Sequence, residues 1–122
     1  MRIERLKKRP DFIAAHKQGD KWVTPVLVVQ LRQRKDVEHF SSNALRVGFT
    51  ASKKVGNAVA RNRVKRRMRA VASDLLSNYD AKGCDIVLIG RRTTRLCDFE
   101  DISKNLKWAL KKLGLKKIEP EA

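Results

Sequence analysis

LRVGFTASKKVGNAVARNRVKRRMR, residues 45–69, changes its periodicity part-way along. Up to Ser52 it alternates: Leu45, Val47, Phe49 and Ala51 fall on one side, Arg46, Gly48, Thr50 and Ser52 on the other. A period of two is a strand with one packed face, and here the other face is polar and carries a cation. That polar face is a candidate binding floor. After Gly56 the period lengthens, and Asn57 stands where a helix N-cap is expected. Ala60, Val64, Met68, Val71 and Leu75 then recur as one stripe at about 100° per residue. Asn62, Lys65, Arg66 and Arg69 form the opposite stripe, flanked by Arg61, Arg63 and Arg67. Six of the nine residues from Arg61 to Arg69 are basic and none is acidic. Like charges at helical neighbour spacings repel, so such a ridge points to an anionic partner.

Upstream, Pro10 suits a helix start, Asp11 to Gln18 reads helical, and Gly19 suits its end. Phe12 and His16 lie four apart and share one face of that helix. VLVVQL (26–31) reads as a strand, and DVEHFSSN (36–43) as a loop or turn. Downstream, CDIVLIG (84–90) reads as a strand buried on both faces, which suits a central place in a sheet. Asp98 opens a last helix with Phe99, Ile102, Leu106, Leu110 and Leu113 on its apolar side and Trp108 on the far side. The order α-β-β-α-β-α predicts an α+β sandwich, about three helices on a small mixed sheet of three to four strands. No repeat, low-complexity run or linker divides the chain, so 1–122 reads as one domain, with residues 1–9 and 114–122 expected to be loose.

The chain has 122 residues, enough for one core. Its 29 Lys and Arg against 13 Asp and Glu give a formal net charge of +16, an excess that internal pairing does not absorb. From His39 to Ser73 nine basic residues occur without one acid, whereas the last 49 residues carry eight acids against ten bases. The middle of the chain is therefore the expected binding element and the C-terminal part the scaffold. Nucleic acid is the first partner this charge implies. The longest apolar runs, such as IVLI at 86–89, are too short to span a bilayer, and MRIERLKKRP lacks a signal-peptide core. No membrane partner and a cytoplasmic location are the expectations. Cys84 and Cys97 suit ordinary reduced thiols, not a metal cluster or a disulfide framework.

A catalytic constellation is missing. His16 and His39 are the only histidines, neither has a carboxylate at a telling spacing, and no phosphate-loop, zinc or nucleophile-elbow motif occurs. Binding is the activity the residues support. Guanidinium groups suit phosphate, because they stay charged and donate paired hydrogen bonds. Asn62, an amide among them, adds an acceptor that no arginine has, which points to a shaped RNA surface. A DNA-reading helix would need a companion helix just upstream, and strand-like sequence stands there instead.

The stretch GFTASKKVGNAVARNRVKRRMR (48–69), with Arg46 before it, resembles the protein component of bacterial ribonuclease P. That family carries a long spaced signature, matched here by Arg46, Gly48, Phe49, Ser52, Lys53, Lys54, Gly56, Ala58, Arg61, Asn62, Arg63, Lys65 and Arg66. RLKKRPDF (5–12) also fits, and the resemblance covers about residues 3 to 113. It implies an α-β sandwich with a left-handed β-α-β crossover, against the usual right-handed preference. It also implies that Lys53, Lys54, Asn57, Arg61, Asn62, Arg63, Lys65, Arg66 and Arg69 face a catalytic RNA. A cleft with Phe12, His16, Val29, Arg46 and Thr50 would hold the single-stranded 5′ leader of precursor tRNA. Chemistry would belong to the RNA with Mg²⁺, and the protein itself would have no metal site. The alternative is a ribosomal or RNA-chaperone protein of related fold that stimulates no cleavage.

Overall fold

A computed structural model describes residues 2–34 and 43–118. Apart from Asn43, the loop expected at 36–43 lies outside the described residues. Five strands form one mixed sheet: β1 (Ile3–Arg5), β2 (Asp20–Val23), β3 (Leu27–Gln33), β4 (Leu45–Ala51) and β5 (Cys84–Gly90). Four helices pack on it: α1 (Arg9–Gln18), α2 (Ala58–Leu75), α3 (Arg92–Leu96) and α4 (Phe99–Lys112). The strand order is β1-β4-β5-β3-β2. β4 runs parallel to both β1 and β5, while β3 runs antiparallel to β5 and β2. β5 is thus central, as its unbroken apolar run requires. The unit β4-α2-β5 joins two adjacent parallel strands, and it is this crossover to which the resemblance attaches a left hand.

The period-two pattern of β5 divides the protein into two layers. Ile86 and Leu88 belong to the main core with Val64 and Met68 of α2 and Ile102 and Leu106 of α4. Val87 and Ile89, pointing the other way, join Leu6, Phe12 and Ala15 in a smaller cluster under α1. The α2 stripe read from the sequence, Ala60, Val64, Met68, Val71 and Leu75, is buried throughout. Asn57 caps this helix, its Oδ1 accepting the Ala60 N–H at 2.9 Å. Gly90 allows α2 to close on the sheet: a Cβ there would lie 2.2 Å from Val64 Cγ1.

Four features differ from expectation. The N-terminal segment is not loose, since Ile3–Arg5 extends the sheet along the free edge of β4 and Leu6 is buried. β2, with the sequence DKWV, is too polar to read as a strand, but it pairs in full with β3. The sheet therefore has five strands, not three or four. Phe99 stands on the apolar side of α4 by sequence, yet as the first residue of the helix it is 53% exposed, with Arg67 over its ring. Trp108, off that stripe, is half-exposed and meets Trp22 edge to face at 5.8 Å, covering a margin of the core. Past α4, Ile118 donates its N–H to Asn78 O at 2.8 Å, so the end of the described chain is tied down where the sequence suggested fraying.

The closeness of Gly90 and Val64 has a stability consequence. Gly90→Ala is expected to cost about 1–3 kcal/mol by overpacking. Adding Val64→Ala should recover part of that loss, a coupling that urea denaturation of the two single variants and the double variant measures.

Candidate nucleic-acid interface

Strand pairing places the α1 face of the sheet in three rows. Arg46, Asp85 and Arg32 form the first, Gly48, Val87 and Gln30 the second, Thr50, Ile89 and Val28 the third. α1 crosses the first two. The ring of Phe12 lies directly on Gly48, where a Cβ would come within 2.5 Å of Phe12 Cε1. Glycine is needed here so that an aromatic ring can reach the backbone. His16 is exposed, and its Nδ1 is hydrogen-bonded to Gln30 Nε2 at 3.1 Å. The third row stays partly open: Thr50, Ile89 and Val28 are half-buried, and Val23, paired with Val28, is 51% exposed. Phe12 is half-buried on Gly48 of the second row, next to the open third row, and both it and Ile89 pack on the small cluster of Leu6, Ala15 and Val87.

Phe12, His16, Arg46 and Thr50 thus share one face, as grouped from the sequence. Val29 does not. It is fully buried in the main core on the opposite side, and its neighbours Val28 and Gln30 occupy the α1 face instead. The run VLVV lacks a polar alternation, so the sequence does not fix which face each residue takes.

Arg46 is largely engaged within the protein. Its Nε and Nη2 both donate to Asp85 at 2.7 Å, and Nη1 reaches Asp11 Oδ2 on α1 at 3.4 Å. Asp85 is fully buried and also accepts from Arg34 Nη1 at 2.6 Å, with Arg32 Nη1 at 3.7 Å. Arg34 in turn donates to Cys84 O at 2.9 Å and Ala44 O at 2.6 Å. The hydrogen bond to Asp85 raises the Arg46 pKa above the usual arginine value, outweighing the opposing effect of burial. Asp85 gave no sequence signal beyond being one acid inside an apolar strand.

On the other layer, α2 presents its polar and basic side chains in three ways. Asn62, Arg63 and Arg66 are exposed; Arg61, Lys65 and Arg69 are half-buried along one flank. Arg69 lies over the Phe49 ring at 5.5 Å. Arg67 is held over Phe99 at 4.7 Å and donates to Cys97 O, which makes it a packing residue as much as a surface charge. Lys53 and Lys54 are exposed in a single 3₁₀ turn, Lys53–Val55, between β4 and α2. Asn57 has its oxygen committed to the cap. Arg91, Arg92 and Arg95, unassigned from sequence, are exposed where β5 runs into α3. α3 packs beside the Lys53–Val55 turn, so these cations extend the basic surface around that end of the sheet.

Burial pushes both the Cys84 and Cys97 thiols up, and each stays a protonated thiol at neutral pH. No three His, Cys, Asp or Glu side chains come together as a metal site among the described residues. No helix among them is long and apolar enough to cross a membrane.

Residues 1–114 match the family described as Ribonuclease P. The chain is 41% identical over 118 residues to a ribonuclease P protein component from Gluconacetobacter diazotrophicus, covering 97% of both chains. It is 44% identical over 115 residues to one from Ruegeria pomeroyi, covering 91% of this chain and 86% of that one. Among solved structures, the ribonuclease P protein from Thermotoga maritima superposes with a TM-score of 0.72 at 29% identity, covering 96% of this chain and 99% of that one.

The Asp85 cluster makes a stability prediction. Asp85→Ala would leave buried guanidinium groups without their carboxylate and should cost about 3–5 kcal/mol. Arg46→Met, which keeps much of the side chain but leaves Asp85 its other arginines, should cost less. Urea midpoints of the two variants check the order.

Proposed function

The chain belongs to the ribonuclease P protein component family, and from that premise we propose how its two layers divide the work. It is a subunit of the ribonuclease that processes tRNA. The exposed ridge of α2, with Asn62, Arg63 and Arg66, the flanking Arg61, Lys65 and Arg69, and Lys53 and Lys54 beside it, holds the catalytic RNA. The α1 face, with Phe12, His16, Thr50 and the half-exposed strip of Val28 and Ile89, takes the single-stranded 5′ leader of precursor tRNA. The observation that carries this reading is the half-buried Phe12 ring beside an open row, on the sheet face opposite the basic helix. One scaffold can then grip two RNA strands at once.

Each surface suits its partner physically. An A-form helix is recognised through its phosphates and 2′-hydroxyls, which exposed guanidinium groups and an amide can meet. A single strand is held by stacking its bases on aromatic side chains and by cations along its backbone. Arg46, spent on Asp85 and Asp11, shapes the cleft more than it supplies free donors to RNA.

The reaction class is hydrolysis of one phosphodiester, releasing the leader and leaving a mature 5′ end. The chemistry lies with the RNA and its Mg²⁺. The described side chains offer cations here, not a clustered set of oxygen ligands, so they do not fit Mg²⁺ as a protein-bound ion. What the protein adds is differential binding: precursor has a leader to hold and mature tRNA does not. Its charge also offsets repulsion between two polyanions, which lowers the Mg²⁺ needed.

Phe12→Leu keeps an apolar cover on Gly48 but removes the stacking face. Precursor tRNA should bind the reconstituted holoenzyme more weakly by about 1–3 kcal/mol, with mature tRNA affinity unchanged. Equal losses for both ligands would remove the leader from this face. Arg63→Ala or Arg66→Ala should weaken assembly with the RNA subunit and make its salt dependence shallower, by about 0.7–0.9 in log–log slope for each phosphate no longer neutralised. Addition of the protein to the RNA subunit at low Mg²⁺ should stimulate precursor cleavage; a ribosomal or chaperone protein of related fold would not.

A further inference from the structure

A recess lies on the α2 layer, between that helix and the edge strand β1, on the far side of the sheet from Phe12. Val47 and Phe49 of β4 form its floor, Ala72 of α2 a wall, and Ile3 and Arg5 of β1 its rim. Its volume is about 210 Å³. Arg69 closes it from above, the guanidinium 5.5 Å from the Phe49 ring centre. The Arg69 Nε is buried and has no hydrogen-bond partner among the described residues. Lys65 and Arg61, half-buried one and two turns earlier on the same flank, lead from the exposed ridge toward this recess.

We propose that this recess captures a single unpaired nucleotide of the partner RNA, its base against Phe49 and Val47 with one edge turned toward Arg69, its flanking phosphates on Arg5 and Lys65. A bare phosphate suits the place poorly, because the floor is apolar. A base suits it well, because unstacked bases pack against aromatic rings and carry acceptors along their edges. The unsatisfied Arg69 N–H finds an acceptor on the base edge, removing a cost that a buried donor otherwise carries. Charge decides the class of partner. The walls come partly from the run of 35 residues without an acid, and Arg69 of α2 belongs both to the recess and to the basic flank. The inference rests on the assignment of that ridge to the RNA subunit. It adds a point at which the ridge senses strandedness, not phosphate alone.

The test uses the full chain reconstituted with the RNA subunit, comparing wild type, Phe49→Leu and Arg69→Gln. Dimethyl sulfate probing reads the Watson–Crick edges of unpaired adenines and cytosines, with kethoxal for guanines and a carbodiimide for uracils. The expected result is a base that wild-type protein shields and that regains reactivity with both variants, while assembly weakens about tenfold. For Phe49→Leu the salt dependence of assembly should be unchanged, because no charge is lost. Thermal melts confirm that the variants fold. Should Phe49→Leu fold poorly, Arg69→Gln decides by the same footprint. An unaltered footprint with affinity within about twofold of wild type would overturn the proposal. So would shielding confined to paired nucleotides, or a recess filled by protein and not RNA. Failure here is separable from failure of the functional reading. If wild-type protein stimulates precursor cleavage but the variants leave the footprint intact, only the recess is lost.

Discussion

A carboxylate sits at the centre of this strongly cationic protein, and the architecture depends on it. Asp85 lies fully buried on the central strand β5. It is tolerable there only because guanidinium groups meet both of its oxygens. Through Arg46 it couples β5 to β4, and through Asp11 to the first turn of α1. Through Arg34 it reaches the start of β5 at Cys84 O and the residue before β4 at Ala44 O. An α1 held in that way keeps Phe12 pressed on Gly48 and the third row of the sheet open beside it. The same network withdraws Arg46 from solvent duty. A residue that looks by sequence like an RNA ligand becomes a structural member of the cleft.

The sheet works as a partition. Its α2 side carries the core and the basic ridge; its α1 side carries a thin apolar cluster and a shallow floor. That asymmetry suits the proposed division between two RNAs. The ridge needs a rigid support, because positioned guanidinium groups lose less freedom on meeting phosphate, and α2 has the main core beneath it. The floor needs accessible apolar surface, and a layer of one short helix leaves it. The two sites are separated by a sheet rather than by a linker, so their spacing is fixed by covalent and packing geometry.

The patterns that are legible in the sequence are those with a clean period. β4 alternates over seven residues and α2 repeats its stripe over five apolar positions, so their faces, the Asn57 cap and the exposed ridge follow directly. β5 matches in place and bounds because an unbroken apolar run has few other homes. Illegible are the short edge elements. Ile3–Arg5 and Asp20–Val23 are polar strands whose hydrogen bonds are supplied by a neighbour rather than specified locally. Val29 lies on the face opposite the one expected for a related reason: four consecutive apolar residues define a strand but not its phase. The roles of Asp85, Arg67 and Arg69 depend on partners distant in sequence, at Arg46, Phe99 and Phe49, and no local pattern encodes them.

The central claim is that opposite faces of one sheet engage two different RNAs. Hydrogen–deuterium exchange on the full chain, first with the RNA subunit and then with precursor or mature tRNA added, addresses it directly. The account predicts that the RNA subunit alone slows exchange in the 53–69 segment. It also predicts that α1 and the Val28 and Ile89 ends of β3 and β5 slow further only with leader-bearing precursor. Equal slowing of those ends by mature tRNA, or protection of both faces by the RNA subunit alone, would contradict it.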